Sequence, residues 1–184
     1  MLMYHHCRSL ESVVYGEVKA NPKYYDAYFK DAYNWLEKEV GFAPLFVAVG
    51  CTKEDLRMTG YQDNWRIKVS DSKIRRAGQF PNDVLFSFDN LEGTFMDYDL
   101  WHIVLNAGHK NFQISDYEKR LLFKRSWPKA GWLDYARQMP HSVQLVLPKL
   151  DLQQTGEVWT RNRATKKCLE KMGFENIKVK RIRV

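Results

Sequence analysis

Gln153-Gln154-Thr155-Gly156-Glu157-Val158-Trp159-Thr160, followed by Arg161 to Val184, is the stretch that decides the fold class. It reads as a strand at Glu157–Trp159, a helix at Arg161–Met172, a stop at Gly173 and a strand at Ile177–Val184. The helix spacing buries Ala164, Cys168, Leu169 and Met172, and turns Arg163, Lys166, Lys167 and Lys171 to the other side. In the last strand the apolar phase slips between Val179 and Ile182, which predicts a bulge there. The same stretch holds the surplus charge of the chain. From Arg161 to Val184 there are nine Lys/Arg and two Asp/Glu, whereas the preceding 160 residues balance 20 basic against 20 acidic side chains. A lysine-rich face is first of all a solvated face. The sharper reading is attraction to phosphate, on a nucleic acid or an anionic cofactor. An acidic protein partner is the remaining option.

Upstream, Asn21-Pro22 is a helix start with Asn as cap and Pro at the first helical position. Tyr25, Tyr28, Phe29, Ala32, Tyr33, Leu36 and Val40 continue it at helical spacing, and Gly41 ends it. The apolar run from Pro44 to Val49 suits a buried strand. Thr52 to Asp55 begins a helical turn. Trp65, Ile67 and Val69 alternate with Arg66 and Lys68 as a half-buried strand, and Val84 to Phe88 is another. Asp97 caps a helix running Tyr98 to Ala107. Ser115-Asp116-Tyr117-Glu118 has capping-box spacing and opens a further helix. A helical piece surrounds Trp132 to Met139, and Val143–Leu147 is a strand that stops at Pro148. Strands and helices mix without strict alternation, so the expected class is α+β, a single domain over residues 1–184 with mixed or antiparallel sheets and flanking helices.

Composition narrows the setting. With 184 residues, 45 % hydrophobic and 14 % aromatic, the chain can bury a sizeable core. No apolar run approaches the roughly 20 residues of a membrane span, and the first residues lack a secretion-signal pattern. Three cysteines without metal-type spacing point to free thiols and a cytoplasmic setting. No His/Cys pair has zinc spacing, so no metal site is expected. The oligomeric state is not legible.

Three resemblances carry functional expectations. Asn162-Arg163-Ala164, with Leu169 to Phe174, resembles the late helix of the N-acetyltransferase superfamily, which would imply coenzyme A held at Gln153–Val158. Ala32-Tyr33-Asn34-Trp35-Leu36 and Asp99-Leu100-Trp101-His102-Ile103-Val104-Leu105-Asn106, with Gln154-Thr155 after them, resemble an uncharacterised family of small bacterial and phage proteins. The order of Tyr4-His5, Ala32-Tyr33, Arg66-Ile67-Lys68-Val69, Glu157, Trp159 and Gly173-Phe174 is similar to the ADP-ribosyltransferase layout, particularly phage versions that modify host defence machinery.

The last resemblance implies transfer of ADP-ribose from NAD to a host macromolecule, a protein or a nucleic acid. Positive charge develops on the ribose, and a carboxylate beside it stabilises that charge. Glu157 is the candidate for this role, His5 for a ribose hydrogen bond and Tyr33 for stacking on nicotinamide. Arg8 and Arg66 are candidates for the pyrophosphate. Each has a plainer reading: Glu157 as a solvated edge residue, His5 as surface, Tyr33 as core. Asp99 and His102, three apart on one helix, could pair, more simply as a structural contact than for acid–base work. Trp101, Trp127, Trp132 and Trp159 read as core anchors. A non-catalytic binder using Arg163, Lys166, Lys167 and Lys171 is the competing expectation, and an acyl-CoA-dependent acetyltransferase the third.

Overall fold

Val143–Leu147 forms β9, and all five of its residues are buried. That continuous burial has a simple cause: β9 lies inside a nine-stranded sheet covered on both sides. The computed structural model describes residues 3–7, 13–14, 17–20, 22, 29–50, 65–69, 74–76, 85–88, 91–107, 113–124, 126–140, 142–151, 155–160 and 163–179.

The strands are β1 (Met3–Cys7), β2 (Val13–Val14), β3 (Glu17–Lys19), β4 (Leu45–Val49), β5 (Trp65–Val69), β6 (Ile74–Arg76), β7 (Leu85–Phe88), β8 (Leu91–Asp97), β9, β10 (Lys149–Asp151), β11 (Thr155–Thr160) and β12 (Ile177–Val179). The large sheet has the order β12-β11-β5-β1-β4-β9-β8-β7-β6, and a small sheet has the order β10-β3-β2. Pairing is antiparallel except between β11 and β12, which are parallel across the helix that joins them. The helices are α1 (Lys30–Val40), α2 (Trp101–Ala107), α3 (Asp116–Phe123), α4 (Lys129–Gln138) and α5 (Arg163–Lys171), with a 3-10 turn at Tyr98–Leu100 before α2. The α+β class with antiparallel sheets and flanking helices is what the residue pattern implies.

Successive residues of a strand project to opposite faces, and the two faces of the sheet gather separate cores. On one face Met3, Val47, Leu145, Phe95 and Val158 meet Trp132 and Ala136 of α4, Leu169 of α5, and Val18 and Leu150 of the small sheet. On the other face Val146 and Met96 meet Ala32 and Leu36 of α1, Val104 of α2, and Leu122 and Phe123 of α3. Lys119 of α3 pairs with Glu39 of α1 at 2.6 Å along the rim of this second layer.

Several local readings match the structure closely. Gly41 ends α1 with φ +85°, and its N–H bonds Glu37 O. Asp97 accepts from the Asp99 N–H, although the first turn it caps is 3-10 rather than α. The Ser115–Glu118 capping box forms in both directions, and Gly173 follows α5 with φ +90°. The α5 burial pattern is a correction. Leu169 is buried, but Ala164 and Cys168 are exposed and Met172 is 37 % exposed. Leu169 is the one residue of the nine in α5 that is buried. Phe174, beyond Gly173, supplies the second anchor. The helix start at Asn21, the turn at Thr52–Asp55 and the bulge after Val179 lie outside the described residues. Among the described residues, β11 has an irregularity of register between Thr155 and Glu157.

Candidate functional site

The two ends of the chain meet through β5. β1 pairs with β5, and β5 pairs with β11, so the first strand and the late Glu157 strand stand two strands apart. Their register decides which candidates share a face. His5 stands opposite Ile67, and Ile67 opposite Val158. Glu157 stands opposite Lys68, and Lys68 opposite Tyr4. The His5 and Glu157 rungs are therefore adjacent and of opposite parity, belonging to opposite faces of the sheet.

The His5 rung also contains Val47, which is buried in the core under α4 and α5. His5 is 8 % exposed. Its Nδ1 lies 2.7 Å from the Phe46 carbonyl. A carbonyl only accepts, so Nδ1 carries the proton. The expectation of a surface imidazole is corrected: a residue so close to the terminus is enclosed because its strand is fourth of nine in the sheet.

Tyr33 belongs to the other layer. On α1 it meets Phe46 at 5.9 Å and Trp101 at 5.9 Å between ring centroids. Phe46 packs against the α1–α2–α3 core and has the same parity as the Tyr4–Lys68–Glu157 rung. The structure thus brings the Glu157 rung and Tyr33 to one side and separates both from His5. The His6–Arg66–Trp159 rung shares the parity of Glu157. Arg8 lies outside the described residues.

The basic helix is exposed where the spacing puts it. Arg163, Lys167 and Lys171 are exposed, and among the described residues they form no ion pair. Lys166 differs, with its ammonium 3.5 Å from Glu170.

A polar cluster that the sequence alone did not reveal joins β8, α3, α4 and the start of β9. Lys124 Nζ lies 2.8 Å from Asp97 Oδ2, and the Asp97 side chain is 4 % exposed. The Tyr135 hydroxyl donates to the same Oδ2 at 3.4 Å. Ser142 Oγ donates to Asp99 Oδ2 at 2.5 Å, which gives Asp99 a partner other than His102. Lys124 Nζ also stands 5.1 Å from the Trp127 ring centroid and 5.5 Å from that of Tyr135. Burial, and then the negative charges of Asp97 and Asp99, push the Tyr135 phenol above its ordinary range. Lys124 has φ +37° at the end of α3, a left-handed position unusual for a side-chain-bearing residue. Four sequence-distant segments build this cluster, and only the Asp97 cap was a local signal. Its side chains bond one another across these segments, so it reads as a tie between layers.

Among the described residues no group of three His, Cys, Asp or Glu could hold a metal ion. No described helix is long and apolar enough to cross a membrane. Of the Gln153–Val158 stretch named for coenzyme A, Gln153 and Gln154 lie outside the described residues, and Thr155–Thr160 is strand β11. No family model, curated protein or solved structure matches this chain.

Proposed function

We propose that the chain is an NAD-using, ADP-ribosyltransferase-like protein whose nucleotide would lie on the α1 side of the large sheet. One observation carries the reading: the Tyr4–Lys68–Glu157 rung has the parity of Phe46, against which Tyr33 of α1 rests. Tyr33 and the register position of Glu157 therefore fall on one side of the sheet, which supports a carboxylate for the ribose and an aromatic for nicotinamide. NAD supplies the activated bond between nicotinamide and ribose. Glu157 is the residue for stabilising charge on that ribose, and Arg66, on a rung of the same parity, for the pyrophosphate.

The histidine assignment changes. His5 belongs to the opposite face and is tied to the Phe46 carbonyl, so its role here is to join β1 to β4. His6, on the Arg66 rung, takes the nucleotide contact in its place. The proposed acceptor is a host macromolecule.

The test uses NAD labelled in its ADP-ribose part, incubated with the protein and a cell lysate. Label should pass to a macromolecule, and Glu157→Gln should reduce the transfer at least a hundredfold while keeping the thermal midpoint. NAD should raise the midpoint of the parent, and His6→Ala should remove that shift. A parent protein that neither transfers label nor is stabilised by NAD ends the reading.

A further inference from the structure

We infer that the outward face of α5 docks on the phosphate backbone of a nucleic-acid duplex. Leu169 of α5 is wholly buried in the core, and Phe174 beyond its end is 3 % exposed. The helix is therefore held in a fixed orientation, and its other side is committed to solvent or a partner. Arg163, Lys167 and Lys171 recur every four residues along that side. At 1.5 Å rise per residue they stand about 6 Å apart along the axis. Among the described residues none of the three forms an ion pair, whereas neighbouring Lys166 is drawn to Glu170. A helix whose charges served only solubility would spread pairs along its surface. Here the unpaired cations fall in one row, and the rest of the chain contributes no net charge against them.

The composition of the row identifies the partner. Protein interfaces deplete lysine and centre on aromatic or aliphatic anchors. This row is lysine and arginine, and α5 carries no aromatic residue. An aromatic platform would signal single-stranded bases, which bind by stacking. A regular line of point charges without one fits the repeating phosphates of a duplex, read without regard to sequence. This inference does not depend on the transferase reading, and binding can be measured with no NAD present.

The experiment measures fluorescence anisotropy of a labelled 20-base-pair DNA duplex against the full chain between 50 and 200 mM salt. Binding should weaken steeply with salt, independently of duplex sequence. Replacing Arg163, Lys167 and Lys171 together by Gln should flatten the log–log salt slope by about 3, at roughly 0.9 per charge removed. The thermal midpoint should stay unchanged, because all three are exposed. Lys38→Gln, on exposed α1 surface, should leave both affinity and slope as they were. Three results would overturn the inference: no duplex binding at 50 mM salt, a slope indifferent to the triple replacement, or equal displacement by polyglutamate, which would mark the row as a site for acidic proteins.

Discussion

Asp97 shows how much one side chain can tie together. It caps the turn before α2, receives the Lys124 ammonium from the end of α3, and accepts from Tyr135 of α4. Asp97→Ala leaves the Lys124 ammonium, 17 % exposed, without its carboxylate. The expected loss is about 3 kcal/mol, read as a shift of the urea midpoint. The double replacement Asp97→Asn with Lys124→Met removes both charges together and should cost clearly less. The Tyr135 phenol offers a pH test of the same knot. Its folded value is raised, first by burial and then by Asp97 and Asp99. The neutral phenol is thus favoured by the fold, so its contribution is complete below the unfolded value near 10 and fades as pH rises towards the folded value. Tyr135→Phe should make stability fall less steeply with pH above about 10 than in the parent, as followed by urea unfolding. Gly50 is a steric counterpart. Its φ is +81°, and a β-carbon there would lie 2.6 Å from the Ala136 carbonyl oxygen. Gly50→Ala should destabilise by about 2–4 kcal/mol.

At the level of elements, α3 and α5 show what local sequence can and cannot announce. The Ser115–Glu118 box is purely local chemistry, and it forms as its spacing dictates. Hydrogen bonds from Ser115, backbone first and then side chain, hold the Glu118 carboxyl below its usual range. Its stabilising effect is complete above the unfolded carboxylate value and is lost as pH falls through the lower folded one. The thermal midpoints of Glu118→Gln and the parent should therefore differ at pH 7 and converge as pH falls below the usual carboxylate range. In α5 the periodicity correctly named Leu169, but Ala164, Cys168 and Met172 have the same apolar character without the same burial. Their exposure depends on how far the sheet extends beneath the helix, which no helical wheel contains. Leu169→Ala should cost about 2–4 kcal/mol in chemical unfolding, whereas Cys168→Ser should cost well under 1. β8 carries no clear apolar signal in the sequence, because Glu92, Gly93 and Thr94 interrupt it. Gly93 is required there by close approach, since an added β-carbon would stand 2.9 Å from the Val146 carbonyl oxygen. The pairing of Tyr33 with the Glu157 rung was equally hidden, because parity emerges only after β1, β4, β5 and β11 are in register.

For the molecule as a whole, the basic C-terminal unit is both surface and keystone. Its cations face outward, but Leu169, Phe174 and the β11–β12 pairing close one end of the core. A chain ending at Thr160 should lose its cooperative thermal transition, measured by circular dichroism, while neutralising the three outward cations should not. The central position of β1 has a temporal consequence. β1 is synthesised before its neighbours β4 and β5, and β4 before its neighbour β9, so earlier and later segments interleave across the sheet. Until about residue 147 has emerged, β4 lacks its β9 neighbour and offers an unsatisfied margin of peptide groups. The nascent polypeptide must therefore hold that margin apart from other chains until β9 has been made, which makes this interval of translation a stage of exposure to aggregation.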